Sequence, residues 1–352
     1  MQQESDTELR LPYTAGEPVI RRNTMHAKSI LEAIGNTPLV RLPLPTEATI
    51  LAKLEYLNPG GSMKDRSALY MVEQAEKKGL LKPGGTIIDA SSGNHGIALA
   101  MIGAAKGYKV IITVSKKCSR EKYQTLKAYG AQVVVCPSTD FIEHPDSYHS
   151  QARALLATTP NSFMPNQYFN IENANGHYAL LGPEIWKQTN GSITHFFAGT
   201  GTGGTVSGAG RYLKEQNPTV KVFGMDAATS FHATGGYPQP YKIEGIGIDF
   251  DSDVINYQVI DELLNITDDE ALTMLKTLAH DYGFLVGPSS GAVAAGLMQK
   301  LSTFKKDDVV VAIFGDSGRA YLSKNFYSQD EHDDLSVSPR IETHNPLTHS
   351  HD

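Results

Sequence analysis

Cysteine and long apolar runs are scarce in this sequence, and each scarcity excludes a class of protein. The 352 residues include only two cysteines, Cys118 and Cys136, without the spacing of a metal site or the density of a disulfide scaffold. We expect both to be reduced, with Cys136 in a buried strand. No uncharged apolar run approaches the roughly 18–20 residues that span a bilayer. The first ten residues also lack the apolar stretch of a secretory signal, so we expect a cytoplasmic protein without a membrane or metal site.

Positive charge is also in short supply. The chain has 31 Lys and Arg residues against 38 Asp and Glu residues, which gives a formal net charge of −7. Since phosphate backbones are bound by basic surfaces, this balance argues against nucleic acid as a partner. A local pocket for one small phosphate remains compatible with an acidic chain. The length is sufficient for two modest domains or one large one.

Periodicity separates a core, residues 26–329, from a polar arm at residues 1–25 and a polar tail at residues 330–352. In the core, short β-branched runs alternate with amphipathic stretches, which is typical of parallel sheets joined by right-handed crossover helices. The predicted strands are Ile50–Leu54, Thr86–Ile88, Val110–Val114, Gln132–Val135, Phe196–Ala198, Val220–Met225 and Val309–Phe314. The predicted helices are Asp65–Lys78, Gly96–Ala105, Arg120–Ala128, Gly203–Lys214, Asp268–Tyr282 and Ser290–Lys300.

Ligands of open α/β sheets bind beyond the carboxyl ends of the strands, so the loops after strands carry the functional information. The loop after Ile50–Leu54 places Lys64 in the first turn of a helix. The helix dipole disfavours a cation there and favours the neutral amine, which is the form that attacks an aldehyde. A solvated lysine after a turn is the structural alternative.

Two further loops place hydroxyl groups at helix starts. In the first, Asp89–Gly96, Ser91, Ser92 and Gly93 precede a helix whose free N–H groups suit a carboxylate, and Asn94 adds an amide; a simple helix cap is the alternative. The second, which begins at Val286, is predicted as strand, turn and helix, with Ser289 and Ser290 either capping the helix or facing a ligand.

A glycine-rich loop follows Phe196–Ala198 and reads Gly199-Thr-Gly-Thr-Gly-Gly-Thr205. Glycines let a backbone approach a phosphate closely, and Thr202 and Thr205 add hydroxyl donors. The same residues also satisfy G-x-G-x-x-G, and Asp226 ends the next strand, so a nicotinamide-binding protein is an alternative interpretation.

In their order along the chain, the four loops resemble the fold-type II enzymes that depend on pyridoxal phosphate (PLP), in particular the cysteine synthase and cystathionine β-synthase family. The resemblance runs from about His26 to Phe326, opening with Ile34-Gly-Asn-Thr-Pro-Leu-Val-Arg-Leu42 and closing with Asp316-Ser-Gly-Arg-Ala-Tyr321. It implies an α/β fold of two parallel-sheet domains in three αβα layers, similar to the tryptophan synthase β subunit, with the cofactor in the cleft between them. A smaller, mobile subdomain would span about residues 65–165, and the remainder would form the larger one.

The resemblance also implies a role for each loop. Lys64 would bind PLP as a Schiff base and move the α-proton, and Ser289 would contact the pyridine nitrogen. The implied cofactor-binding residues are Lys64, Asn94, Gly201, Thr202, Gly203, Gly204, Thr205 and Ser289. The implied substrate-binding residues are Ser91, Ser92, Gly93, Asn94, Gln167, Tyr168 and Gly245.

The implied activity is β-replacement on L-serine or an O-activated L-serine by a sulfur nucleophile, through an aminoacrylate intermediate, in a homodimer. The alternatives are β-elimination, as in serine/threonine dehydratases or cysteine desulfhydrases, a diaminopropionate-forming synthase that uses O-phosphoserine, and a PLP-binding protein without activity. Gln167-Tyr168 and Glu244–Phe250 resemble cystathionine β-synthases. His95, however, stands where the family usually has threonine and resembles the dehydratases; it either acts on the leaving group or is a helix-start residue bonded to a neighbour.

Overall fold

The computed structural model describes residues 26–91, 93–139 and 143–327. The predicted arm at residues 1–25 and tail at residues 330–352 lie outside these ranges. The strands are β1 Leu39–Arg41, β2 Thr49–Leu54, β3 Thr86–Ala90, β4 Lys109–Ser115, β5 Gln132–Cys136, β6 Ser162–Phe163, β7 His195–Gly199, β8 Lys221–Ala227, β9 Glu262–Ile266 and β10 Val309–Phe314. The helices are α1 Lys64–Lys77, α2 Asn94–Lys106, α3 Arg120–Ala128, α4 Tyr148–Thr158, α5 Glu172–Ala179, α6 Leu181–Gln188, α7 Gly204–Gln216, α8 Asp268–His280 and α9 Pro288–Lys300.

The larger sheet has the strand order β1-β2-β10-β7-β8-β9. All of its neighbours are parallel except β1, which pairs with β2 in the antiparallel direction because the link between them is too short for a crossover. The central strand β10 pairs with β2 from Val309 opposite Thr49 to Phe314 opposite Leu54. Helices α8 and α9 pack together and contribute buried side chains to the same core cluster as β10.

The smaller sheet has the order β5-β4-β3-β6, and all of its pairs are parallel. Every residue of β3 is buried, and α2 contributes a continuous set of buried side chains to the core beside it. Parallel strands buried on both faces read as apolar runs, which is the pattern that the sequence carries. The α/β class with two parallel sheets is therefore confirmed.

Several predictions on single segments can also be judged. Cys118 and Cys136 form no disulfide, as predicted. Cys136 is itself buried at the end of β5, but the other residues of this strand are exposed or half-buried, so the prediction of a buried strand is wrong. The strand predicted before Pro288 is wrong, because Val286 makes only an isolated bridge to Ser317. A single bridge pairs one residue with another, whereas a strand requires a continuous series of such pairs. Within residues 26–91, 93–139 and 143–327, the structure contains no candidate membrane-spanning helix.

Candidate active site

Lys64 is the first residue of α1, at the edge of the larger sheet where β2 and β10 end. The preceding segment is fixed to the end of β10, since the Met63 amide donates to the Gly315 carbonyl at 2.9 Å and Ser62 bridges to Asp316. Burial lowers the pKa of Lys64 to about 8, while the Asp316 carboxylate opposes this shift. A much larger fraction of this amine is therefore neutral near pH 7 than for an ordinary lysine.

Asp316 connects the lysine loop with α2, which belongs to the smaller sheet. Its Oδ2 accepts hydrogen bonds from the Asn94 amide at 2.6 Å and from the Tyr321 hydroxyl at 2.5 Å. Its Oδ1 is buried and has no partner among the residues that the structure describes. Burial raises the pKa of this carboxyl group. The sequence contained Asp316 in a motif but gave no reason to assign it to the site.

The glycine-rich loop after β7 forms a tight cup at the start of α7. Gly203 caps the helix with a left-handed φ of 83°, and a Cβ there would lie 2.9 Å from the Cα of Ile255. A Cβ on Gly201 would lie 2.8 Å from the Gly245 carbonyl oxygen, and one on Gly204 would collide with the Asn173 side chain. The glycines are therefore required by close contacts with neighbouring protein, and the free backbone N–H groups of this helix start are the donors that an anion site uses.

Two buried threonine hydroxyls flank this cup. Thr202 Oγ1 accepts a hydrogen bond from the Asn173 amide at 3.0 Å. Thr205 Oγ1 lies 3.3 Å from His177 Nε2 and 3.3 Å from Met63 Sδ. Burial lowers the pKa of His177 to about 3, so its ring is neutral. The structure thus brings together the five predicted phosphate-binding residues Gly201, Thr202, Gly203, Gly204 and Thr205.

Ser289 lies in the first turn of α9, beside Gly245. Gly245 has a φ of 95°, and a Cβ on it would lie 3.1 Å from the Ser289 Cβ. Because Gly245 also contacts Gly201, the predicted pyridine-binding hydroxyl and the cup are neighbours across one loop. The Gly315 amide donates to Ser290 Oγ at 3.1 Å, which leaves Ser289 as the serine on the Gly245 side.

The predicted substrate loop precedes α2. Ser91 is buried, and its Oγ accepts a hydrogen bond from the Gly96 amide at 3.0 Å. Gly93 is extended, with a φ of −143°, and the nearest atom to a Cβ there would be Lys122 Nζ at 3.9 Å. Ser92 lies outside the described residues. The helix start is open toward the cleft, and its N–H groups are suited to a carboxylate.

Gln167 and Tyr168 lie on the segment that leads from β6 to α5. The Gln167 carbonyl accepts a hydrogen bond from the Asn173 amide at 2.8 Å, the same amide that binds Thr202. The Tyr168 ring packs edge-on against Phe250, with a centroid distance of 5.1 Å. The predicted substrate segment is therefore tied to the cup through Asn173, a residue that the sequence analysis did not identify.

His95 does not have a free ring. It is 1% exposed, and its Nε2 lies 3.0 Å from Asp89 Oδ2, while its Nδ1 has no partner among the described residues. This is the arrangement of a helix-start residue bonded to a neighbour. Because Nε2 is occupied by Asp89, the contact gives no support to a role at the leaving group.

Two lysines bind the same carboxylate, Glu244, an arrangement that the sequence did not predict. Lys122 in α3 lies 2.6 Å from Glu244 and 4.0 Å from the centre of the Tyr321 ring, and Lys324 lies 3.1 Å from the other Glu244 oxygen. Burial opposes ionisation, but the two ammonium groups hold the pKa of Glu244 below its usual value. Both cations are thus paired with protein, so they supply no free cluster for a second anion.

The residues of the cleft fit PLP. They include an amine with a lowered pKa, a helix start enclosed by glycines and hydroxyls, an amide at Asn94 and a hydroxyl at Ser289. The nicotinamide alternative fits less well, because the Asp226 carboxylate is buried and accepts hydrogen bonds from the Ser230 hydroxyl at 2.6 Å and the Ala227 amide at 2.9 Å. That acid is bound to its own loop and is not free for a ribose.

Comparison with known proteins leads to the same family. A family model for a pyridoxal-phosphate dependent enzyme matches residues 30–316. Cystathionine beta-synthase of Apis mellifera is 42% identical over 304 residues, which cover 84% of this chain and 60% of that protein. This chain therefore spans less than two thirds of that relative. Cysteine synthase of Staphylococcus aureus (strain Mu50 / ATCC 700699) is 38% identical over 307 residues, which cover 86% of this chain and 98% of that protein.

A solved structure agrees with these sequence matches. The O-acetylserine dependent cystathionine beta-synthase from Helicobacter pylori superposes with a TM-score of 0.81 at 37% identity, covering 87% of this chain and 100% of that one. The chain is an enzyme of the pyridoxal-phosphate dependent family, and pyridoxal phosphate is its cofactor.

Proposed function

We propose that this enzyme catalyses β-replacement on L-serine or an O-activated L-serine by a sulfur nucleophile, as a cystathionine β-synthase or cysteine synthase does. The observation that carries the proposal is that Asp316 brings the Lys64 loop and the Asn94 helix start together between the two sheets. An amine and a carboxylate-binding helix start are then neighbours, as chemistry on an amino acid requires. The curated relatives described above are named for these two activities.

Lys64 is the residue that binds the cofactor aldehyde and moves the α-proton in this proposal. Burial lowers the pKa of its Nζ to about 8, so this amine exchanges a proton readily near neutral pH. The glycine cup with Thr202 and Thr205 holds the phosphate. Asn94 donates to the phenolic oxygen, and the Ser289 hydroxyl contacts the ring nitrogen without the fixed negative charge of a carboxylate. Bound PLP supplies the electron sink that lets a β-substituent leave.

The substrate's α-carboxylate is bound by the start of α2, with Ser91, Ser92, Gly93 and Asn94, and by Gln167 from the opposite side. Tyr168 and Gly245 line the same cleft. The free N–H groups of a helix start and a neutral amide both favour an anion in a partly buried site. Lys122 Nζ lies 3.9 Å from the Cβ position of Gly93, but its charge is paired with Glu244 at 2.6 Å, so the helix start itself supplies the positive potential in this proposal.

We also propose that the enzyme is a cytoplasmic homodimer acting on small amino acids in transsulfuration or cysteine synthesis. Residues of about 65–165, which contain the smaller sheet, form the mobile subdomain in this proposal, and the rest forms the larger one. Two separate sheets with separate core clusters support this division, since each can move as a unit. Light scattering on the purified holoenzyme measures the dimer directly.

A product assay tests the proposed reaction. Purified holoenzyme is given L-serine or O-acetyl-L-serine with homocysteine, with sulfide, or with no thiol, and the products are identified by mass. Cystathionine from the homocysteine arm or cysteine from the sulfide arm is the expected result. Pyruvate as the main product in every arm, with no thiol adduct, would contradict replacement and indicate elimination.

A further inference from the structure

His95 and Asp89 form a buried pair behind the substrate loop. Asp89 is in β3 and His95 is in the first turn of α2, so the loop with Ser91 and Gly93 lies between them. The ring Nε2 is 3.0 Å from Asp89 Oδ2, and both side chains are about 1% exposed. Because the same Oδ2 already accepts a hydrogen bond from the Asn166 backbone N–H, we assign the hydrogen of this contact to Nε2. The pair therefore closes the substrate loop at its base.

The same carboxylate oxygen holds a second segment. Asp89 Oδ2 accepts a hydrogen bond from the Asn166 amide at 3.1 Å, while Oδ1 accepts one from the Ala90 amide at 2.7 Å. Asn166 has a left-handed φ of 54° and immediately precedes Gln167, a residue predicted to bind the substrate's carboxylate. One carboxylate thus joins both parts of the predicted carboxylate grip.

The contacts continue from this point to the cup. The Gln167 carbonyl is bound by the Asn173 amide, which also donates to Thr202. On the other side, the Ser91 hydroxyl accepts from the Gly96 amide, next to His95. A change at His95 therefore reaches Gln167 through one carboxylate, whereas the cup is two further hydrogen bonds away. Its effect should fall on the substrate side of the cleft before it falls on the cofactor side.

The imidazole spans the distance from the first turn of α2 back to β3, with Nε2 3.0 Å from Asp89 Oδ2. A side chain that ends closer to Cβ would not reach this carboxylate. A buried carboxylate that loses a charge-assisted partner is left with an unfavourable desolvation energy, which the neighbouring backbone relieves by moving. The position of Asn166, and with it Gln167, depends on this bond.

We propose that His95 is a positioning residue that acts through Asp89 to set the separation between the α2 start and Gln167, and so determines selectivity for the substrate's α-carboxylate. The inference rests on the proposed function, because it assumes an amino-acid substrate bound at this helix start. It assigns His95 no contact with the reacting atoms.

The test compares L-serine with L-serinamide, in which a neutral amide replaces the carboxylate. Both are titrated into cofactor-loaded wild type, His95→Leu and His95→Gln, and the cofactor's absorbance change gives each dissociation constant. Loss of one hydrogen bond to a charged group predicts roughly tenfold weaker serine binding by His95→Leu, with serinamide binding unchanged. His95→Gln keeps an N–H donor at a similar reach and should recover most of the wild-type ratio.

Amide hydrogen exchange of the cofactor-free proteins gives a second readout. The peptide that contains Asn166 should exchange faster in His95→Leu than in wild type or His95→Gln, because its acceptor has shifted. If His95→Leu does not fold, the comparison of His95→Gln with Asp89→Asn, which removes the negative charge, replaces it, and only Asp89→Asn should lose the serine preference.

The outcomes separate the two proposals. A wild type that binds both compounds equally overturns the proposed carboxylate site, and the inference with it. A wild type that prefers serine, together with a His95→Leu protein that keeps the same serine-to-serinamide ratio, overturns the inference alone. Equal losses for both compounds also overturn it, since they indicate a general structural effect.

Discussion

The loops after β7 and β3 are both strand, glycine-containing turn and helix start, yet they are held in place by different means. After β7, Gly203 has a left-handed φ and its neighbour Ile255 leaves no room for a side chain. After β3, Gly93 is extended and open, and the loop is held by the hydrogen bonds of Ser91 and of the His95–Asp89 pair. The cup is fixed by backbone sterics, and the substrate loop is fixed by side chains.

This difference has a consequence for function. A cup that depends on missing side chains admits few substitutions, which suits a cofactor phosphate that never changes. A loop held by side-chain hydrogen bonds changes its geometry when one of the bonding residues, such as His95, is exchanged. We therefore expect cofactor affinity to depend on the first loop and substrate selectivity on the second.

The largest expected effect is the loss of stability when a methyl group is added to the glycine-rich loop, compared with the same addition to the substrate loop. Gly203→Ala should lower the free energy of unfolding by about 3 kcal/mol, because alanine pays for both the left-handed φ and the overlap with Ile255. Gly93→Ala, the matched control, should change it by less than about 1 kcal/mol, since its backbone is extended. Urea unfolding of the cofactor-free proteins measures both, and equal losses would contradict the contrast.

Asn173 connects the two regions, and its removal should have the next largest effect. Its amide donates to the Gln167 carbonyl and to Thr202 Oγ1. Asn173→Ala should reduce stability by about 2 kcal/mol and weaken binding of both cofactor and serine, because two buried hydrogen bonds are lost. Asn175→Ala, on the same helix but partly exposed, is the control. The measurements are thermal unfolding, titration of the cofactor-free protein with PLP and titration of the holoenzyme with serine. Indistinguishable results for Asn173→Ala and Asn175→Ala would contradict the proposed connection between the two loops.

A smaller expected effect is the pH dependence of PLP capture by Lys64. Since the neutral amine reacts with the cofactor's aldehyde, capture of PLP by the cofactor-free protein should rise about tenfold per pH unit below pH 8 and level off above it. The inflection follows from burial, which lowers the pKa of Lys64 to about 8. Stopped-flow absorbance gives the profile.

Asp316 provides the control for that profile. Its carboxylate raises the pKa of Lys64 against the effect of burial, so Asp316→Asn should move the inflection to lower pH. Gly93→Ala should leave it in place, because that residue belongs to the other loop. An inflection near 10.5, the ordinary value for lysine, would indicate that Lys64 is not the reacting amine.

Local chemistry made much of the fold predictable from the sequence. Strand β10 and helix α3 have the predicted bounds, because an apolar β-branched run and an amphipathic stretch with a serine cap each carry their own signal. Helix α5 was missed, since Gly176 and His177 are weak helix formers. It is helical because it packs against α1 and α7, with Gly176 close to Tyr70.

The site shows the same division. Lys64, the glycine cup and Asn94 could be predicted from the sequence, because each lies in a short segment with its own chemical signature, and their roles stay predictions. Asp316, Asn173 and the Lys122–Glu244 pair were not, because their roles depend on partners distant in the chain. Asn94 and Asp316, for example, are separated by 222 residues, and Lys122 and Glu244 by 122. No local pattern reports such contacts.

Chemical mapping of the cofactor attachment tests the central claim most directly. Holoenzyme is reduced with borohydride, which makes the bond between the cofactor and its amine permanent, and is then digested and analysed by mass. The account predicts that the added mass lies on the peptide containing Lys64, and that Lys64→Ala carries none. Attachment at another lysine, or none in a protein that is active, would contradict it.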